Sequence, residues 1–507
     1  MSIYESIKSN INEQQKLPSD FSLAEKSAPN ELQFAPGAMD GIWVYHGGMG
    51  GTGEDLDGAV VNIFSLVKQY LNTKDESFVK KLEALLDEYR ALHVADPFLQ
   101  TIRENPDEIV PQELIEFAFE KAKTSDNVEL VKFCISLFGL FDLEKYESIR
   151  NVAAILGVYD DFTLFSVVAA SNWTDGTGVV FWIAQRATGW GKVHAVERLE
   201  PETDKIREWI LREGCQNGVM DAYLGLTCAK KGDLLTALRQ KQIDNDLFES
   251  ISIIIDALLD EGPVPGVSEY EHAQEALELY LHHAKEHAKT LQHLWYVLNV
   301  RYWAVDEEIK FGDSITNLCN EIIGFSNWKE KIFTALEEKD DMFTVVNVAS
   351  RIDVDISAKL FMIVKQEPLE YYQYLRGLFE IPDMASELIG LYEEILPLSE
   401  MANGMGDYIF PEELCNEHNS LDFILPLLAS YPMQGISLIK TGLNSHVVRG
   451  RNMACRAISG WVKALEKPIE EISPELFAEL KRINEIEVNE KTKESLEKLI
   501  MGESLDD

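Results

Sequence analysis

Residues 48 to 53, Gly48-Met-Gly50-Gly-Thr-Gly53, match G-x-G-x-x-G, the spacing with which a dinucleotide-binding turn brings its backbone against a pyrophosphate. Ile42-Trp-Val-Tyr45 ahead of them reads as a strand, and a helix is expected from about Leu56 to Leu71. Three features oppose a cofactor here. Glu54, Asp55 and Asp57 put negative charge where a pyrophosphate would meet the helix N-terminus. Ser77 to Ala91 is itself helical in pattern, so no βαβ unit closes, and no acid ends a second strand to take a ribose. Gly48, Gly50 and Gly53 are therefore expected to form a flexible or tightly packed loop, with a small-ligand or peptide contact through Trp43, Tyr45 and His46 as the other reading.

Metal chemistry has two candidates. His283-Ala-Lys-Glu286-His287 matches H-x-x-E-H, in which histidines one helical turn apart hold zinc and the glutamate activates water. Its surroundings, His282 to Lys289, are polar all round, as on a solvated face, and no third ligand stands out. Glu269 and His272 supply the Glu-x-x-His of a carboxylate-bridged di-iron site once, where such a site needs it twice. Cys415-Asn-Glu-His418 lacks a second pair and reads as loop. Neither a Gly-x-Ser-x-Gly elbow nor a phosphate-binding Gly-Lys-Ser/Thr loop occurs.

The densest collection of aromatic and polar residues is Trp173, Trp182, Trp190, His194, Glu197 and Arg198. A histidine, an acid and an arginine within about one helical turn can form a buried ion-pair network. If they form a binding face instead, its residues are Trp173, Trp190, His194, Glu197 and Arg198, because polar ladders often line the concave face of helical-repeat proteins.

These groups must be positioned by helices. Apolar residues recur at i, i+3, i+4 and i+7 through most of the chain, and no series of alternating strands appears. Helices are expected over Pro111 to Lys123, Asn127 to Phe141, Glu144 to Gly157, Phe162 to Ser171, Val179 to Thr188, Val193 to Leu199, Asp204 to Glu213 and Gly218 to Lys231. Longer ones follow over Ser268 to Leu291, Ala304 to Ile323 and Pro474 to Ile500. The expected organisation is a polar N-terminal extension with the Gly-rich loop (1–57), a helical repeat region (58–260), a central helical region (268–400) and C-terminal repeats (420–500). The rigid Glu261-Gly-Pro-Val-Pro-Gly266 marks a boundary.

Between Ser420 and Leu465 the pattern is most regular. A helix led by Leu421, Ile424, Leu425 and Leu428 precedes a second around Ile436 and Ile439. A third, with Ser445 as its N-cap, puts Ala454, Ala457, Ile458, Trp461, Val462 and Leu465 on one stripe. This stretch resembles a HEAT-type repeat. The resemblance, with an imperfect spacing of about 35 to 45 residues elsewhere, implies an all-α chain built as an α-solenoid of antiparallel helix pairs.

Composition narrows the partners. With 86 acidic and 46 basic residues the formal charge is −40, and the acids are spread along the helices. Such a surface repels phosphate backbones and anionic lipid, so neither nucleic acid nor a membrane surface is an expected partner, whereas a basic protein or peptide is. The six cysteines are scattered and mostly on apolar helix faces, as in a reduced compartment. Met1 to Ser9 lacks a signal pattern, and no apolar run reaches the roughly 18 residues that span a bilayer. A cytoplasmic bacterial protein is expected.

Gly189-Trp-Gly-Lys-Val-His-Ala-Val-Glu-Arg-Leu199, Ile206-Arg-Glu-Trp-Ile-Leu-Arg-Glu-Gly-Cys-Gln-Asn217 and Met220 to Cys228 resemble a family of acidic bacterial proteins assigned as limonene hydroxylases. The resemblance implies a monoterpene monooxygenase that converts limonene to carveol or perillyl alcohol with NAD(P)H and oxygen. It carries no catalytic residues onto this chain. Hydroxylating an unactivated C–H bond calls for a haem, flavin or iron centre, and the residues give no ligand set for one. The expected function is accordingly an interaction scaffold binding a protein or peptide, with monoterpene hydroxylation as the alternative.

Overall fold

The computed structural model describes residues 1–23, 34–47, 56–262, 264–305, 309, 311–325, 327–411 and 413–505. Among them every regular element is a helix, and the one β-bridge joins Tyr408 to Val447. The chain is all-α, as its periodicity predicts. It divides into two compact units, Met1–Trp328 and Lys329–Asp507.

The first unit begins with α1 (Ile3–Asn10), α2 (Ala38–His46), α3 (Leu56–Thr73), α4 (Glu76–Tyr89), α5 (Ala91–Glu104) and α6 (Pro111–Thr124). It continues with α7 (Val128–Phe138), α8 (Glu147–Leu156), α9 (Asp160–Ala170), α10 (Gly176–Ala184), α11 (Gly189–Arg198) and α12 (Asp204–Glu213). Then come α13 (Ala222–Lys231), α14 (Leu234–Leu238), α15 (Asn245–Leu259), α16 (Ala273–His287), α17 (Leu291–Ala304) and α18 (Gly312–Phe325). Their starts are set by short polar side chains: Asn127, Thr203, Asp244 and Thr290 each accept a bond from a backbone N–H in the first turn of α7, α12, α15 and α17.

From α3 to α17 each odd-numbered helix packs on the next odd one, and α6, α8 and α10, like α14, α16 and α18, do the same in the even series. Helices this short cannot hide an apolar face alone, and short links fold each back beside its neighbour. One continuous core from Ile3 to Ile322 results, and α4 and α12 pack on odd-numbered helices. Glu261 to Gly266 lies inside this unit, where the Glu261 carboxylate accepts from the Gly266 and Ser268 amides.

Several local expectations change. The polar extension opens with a helix, because Ser2 caps it at Glu5 N–H and Ile3, Tyr4 and Ile7 enter the core. Ile42 to Tyr45 is helical in α2 rather than a strand. Ala91 to Glu104 is a helix despite Pro97, held by Val94, Ala95, Phe98 and Leu99 in the core and separated from α4 by Arg90 at φ 62°. Ser268 to Leu291 is a 3₁₀ turn and α16, with α17 beginning at Leu291 behind Thr290.

In the second unit the helices Cys415–Leu427, Ile436–Leu443 and Val448–Leu465 pack together, and the last also packs on Glu490–Ile500. Ala454, Ala457, Ile458, Trp461 and Val462 are buried, but Leu465 is exposed at the helix end. The helix starts two residues later than a Ser445 cap requires, with Ser445 Oγ accepting from Val447 N. Pro474 to Ile500 is two helices, broken at Glu487 to Asn489. There the fully buried Glu487 carboxylate receives Arg451 through two bonds of 2.8 Å and also the amides of Val488 and Asn489.

Four cross-helix pairs share nearly the same sequence separation, while others lie 22, 32, 40 or 45 residues apart. Arg239–Glu275, Lys285–Glu321 and Arg451–Glu487 are each 36 residues apart, and Lys440–Glu475 is 35 apart. Only the Arg451 pair is fully buried, so it alone carries a large penalty when broken. Arg451→Met is expected to lower unfolding stability by about 3–5 kcal/mol, with part of the loss recovered on adding Glu487→Gln. A urea midpoint for Arg451→Met equal to the parent's would show that the pair is not desolvated.

Candidate functional site

α2 is the element on which the chemistry-bearing residues converge. Its Asp40 is buried, and the Oδ2 atom lies 2.7 Å from Lys132 Nζ on α7, itself only 2% exposed. Asp40 Oδ1 takes Arg90 Nη2 at 3.1 Å. Glu129 completes the network, with Lys132 at 3.1 Å and the Ala91 amide at 2.7 Å, where it caps α5. Asp161 Oδ1 accepts from the Gly37 amide at 2.7 Å and fastens the start of α2. Burial works against the Lys132 charge, but Glu129 and Asp40 outweigh it and hold the pKa above the ordinary lysine value.

One turn further on, α2 meets α11. Gly41 faces the Trp190 indole so closely that a Cβ there would lie 2.2 Å from Cε3. Tyr45 stacks on His194 at 5.8 Å, packs against Tyr223 at 5.0 Å, and donates its hydroxyl to Glu197 at 2.6 Å. Burial and then the Glu197 carboxylate raise its pKa well above the tyrosine range. Glu197 also accepts from Arg198 at 2.9 Å, and His46 Nε2 lies 2.5 Å from the Tyr223 hydroxyl.

His194 is 1% exposed and neither ring nitrogen has a hydrogen-bond partner. Burial, with Arg198 nearby, pushes its pKa down to about 3. The ring is neutral at physiological pH and a weak base. The tyrosine stays protonated and so does the lysine. The arrangement holds α2 against α7 and α11.

Of the residues singled out in the sequence, Trp190, His194, Glu197 and Arg198 do come together, joined by Tyr45. Trp173 does not join them: it is buried and its indole N–H donates to the Phe138 carbonyl at 3.1 Å. Trp182 carries the Arg186 guanidinium on its face at 4.1 Å. Of the expected binding face, Trp173, Trp190 and His194 are interior, and Glu197 and Arg198 reach solvent in part. Gly189-Trp-Gly191 opens α11. The Asp160 carboxyl, pushed up to about 7 by burial against bonds from the Gly191 and Thr188 amides, sits where any side chain on these glycines would stand.

The metal candidates are otherwise occupied. His283 Nε2 lies 2.9 Å from the Leu238 carbonyl and His287 Nδ1 lies 2.9 Å from Asn245 Oδ1, while Glu286 is exposed. Glu269 ends a 3₁₀ turn and His272 precedes α16, so the pair shares no helix, and His272 pairs with Glu271 at 3.1 Å. Cys415 and His418 lie in a helix rather than a loop, with the Cys415 thiol donating to the Pro411 carbonyl. Among the described residues no group of three metal-ligating side chains occurs. Gly48, Gly50 and Gly53 lie outside the described residues.

Asp40, Arg90, Glu129 and Lys132 escape a sequence reading because they lie up to 92 residues apart. Lys132 alone left a signal, as the one charge in the buried run Leu130 to Phe138.

Because His194 is depressed below its ordinary 6.5 in the folded chain, the unfolded chain takes up a proton first as the pH falls. Its contribution is present above pH 6.5 and is lost progressively down to about 3. His194→Phe is expected to flatten the fall in urea midpoint between pH 7 and pH 4. A His194 ring that titrates near 6.5 by NMR would contradict this. Comparison of the chain with protein-family models, with curated proteins and with solved structures finds no match.

Proposed function

We propose that this protein is an interaction scaffold, an α-solenoid of HEAT-like helix pairs whose acidic surface takes a basic protein or peptide. The observation that carries the reading is the recurrence of cross-helix pairs 35 or 36 residues apart, which is the behaviour of one supersecondary unit repeated along a chain. The odd-numbered helices stacked from α3 to α17 support it as well, since a continuous stack leaves long surfaces. A charge of −40 speeds and orients the approach of a cationic partner.

The residues fit poorly with monoterpene hydroxylation. A nicotinamide turn of the fingerprint type follows a strand, and the segment before Gly48 is the helix α2. The histidines proposed for metal are bonded to a backbone carbonyl, an asparagine and a glutamate of their own surroundings.

The test is equilibrium sedimentation of the full chain with a small basic protein, and with an acidic one as control. Saturable binding to the basic probe at a fixed ratio, weakened by salt, is expected. Absence of that binding, or conversion of limonene to carveol by the purified chain with NADPH, overturns the scaffold reading.

A further inference from the structure

A cleft of about 660 Å³ lies among α1, α8 and α10. Its apolar lining comes from three sides: Ile11 just after α1, Ala154 and Ile155 on α8, and Val179 and Trp182 on α10. All five are half-buried. The core-facing stripe of α8 is Ile149, Val152, Ala153 and Leu156, which leaves Ala154 and Ile155 at its edge. The volume is that of a small-ligand pocket and leaves room for two side chains.

Both signs of charge line the same cleft. Lys8 and Arg150 bring cations, Glu144 and Glu147 bring carboxylates, and Gln15 and Asn151 bring amides. Among the described residues neither cation forms an ion pair with an acid, and neither glutamate with a cation. Arg150 is held by a neutral group, its Nη2 donating to the Asp175 carbonyl at 3.2 Å. Asp142 feels the Arg150 charge, but it is already bonded to the Thr174 hydroxyl at 2.6 Å.

One wall is fixed in advance. Arg186 lies on the Trp182 indole at 4.1 Å, donates Nη1 to the Trp182 carbonyl at 2.8 Å and gives Nη2 to Gln15 Oε1 at 3.0 Å. Gln15 is held at φ 62° in a turn whose ends, Asn12 and Lys16, are bonded to each other. Burial lowers the Arg186 pKa from its ordinary value, and no carboxylate opposes that shift.

A monoanion in this cleft would meet Glu144 and Glu147, and a monocation would meet Lys8 and Arg150. A molecule with both charges on an apolar body answers all four: its ammonium donates to the glutamates, and its carboxylate accepts from the lysine and the arginine. We infer that the cleft binds a free apolar dipeptide through its two charged ends, with its side chains against Trp182, Ile155 and Val179. This goes beyond the scaffold reading and does not depend on it, because a zwitterion has no net charge for the −40 of the chain to attract.

The test is calorimetric titration of the full chain with L-leucyl-L-phenylalanine at about 150 mM salt. Saturable binding of one dipeptide per chain is expected. N-acetylation removes the ammonium and C-terminal amidation removes the carboxylate; each is expected to weaken binding about fivefold, the upper range for one solvent-exposed ion pair. The double change Glu144→Gln, Glu147→Gln alters exposed groups, and is expected to weaken the free dipeptide about fivefold while leaving the N-acetyl form unchanged. Lys8→Gln, also at an exposed residue, is expected to weaken the free dipeptide and leave the amide unchanged. Glu494→Gln, an exposed acid in the other unit, is expected to change affinity less than about twofold. Failure of the parent chain to bind the dipeptide overturns the inference, as does equal affinity for the free and capped forms. A glutamate variant that weakens the free and N-acetyl forms alike overturns the ammonium contact. L-phenylalanine binding as tightly as the dipeptide overturns a peptide ligand in favour of a single amino acid. None of these outcomes bears on the basic protein that tests the scaffold reading.

Discussion

Short helices cannot bury themselves. A helix of ten or so residues has one apolar stripe and too few hydrogen bonds to persist in water, so each must find cover on its neighbours. In the first unit that constraint is met by stacking: from α3 to α17 each odd-numbered helix lies on the next odd one. Everything else depends on it. Core residues from Ile3 to Ile322 form one body only because each helix covers the one before.

Polar groups enter this interior where two helices must keep one register. Lys132 on α7 and Asp40 on α2 are both almost fully buried, a costly arrangement unless each charge is paired and bonded. It is: Arg90 and Glu129 complete the set, so α2, α5 and α7 meet in one geometry. Arg451 and Glu487 play the same part in the second unit, where the carboxylate also receives the amides of the break that separates the last two long helices. Leaving His194 neutral is the cheaper solution to burial, a depressed pKa instead of a partner.

Helices were legible in the sequence wherever periodicity and caps agreed. Asp204 to Glu213 is found with the bounds its pattern predicts, because Thr203 caps it and Ile206, Trp209 and Ile210 repeat at helical spacing. Ile42 to Tyr45 was not, since four apolar, strand-favouring residues in a row have no period that separates strand from helix. Its state is decided by Gly41 admitting Trp190 and by Asp40 reaching Lys132, contacts made with residues far along the chain. The candidate site followed the same rule. Trp190, His194, Glu197 and Arg198 share one helix and could be grouped by spacing, whereas Tyr45, which binds them together, belongs to a helix more than a hundred residues earlier. Aromatic composition suggested an exposed face. A sequence cannot say which side of a helix stack a ring points to.

Stacking also organises the electrostatics. Glu249 meets His293 near the starts of α15 and α17 and Asp256 meets Asn299 near their ends, so the two helices run in the same direction and finish side by side. Their dipoles then add where isolated antiparallel neighbours would cancel. Acids scattered evenly along a sequence become a directional field once the stack aligns the helix ends, because carboxylates near a C-terminus reinforce that end and carboxylates near an N-terminus neutralise the other. Asp256 and Asp260 belong to the first kind; Asp160, at the amides that open α11, belongs to the second. Fold and charge are thus one design: the same repetition that hides the apolar stripes decides where negative potential gathers.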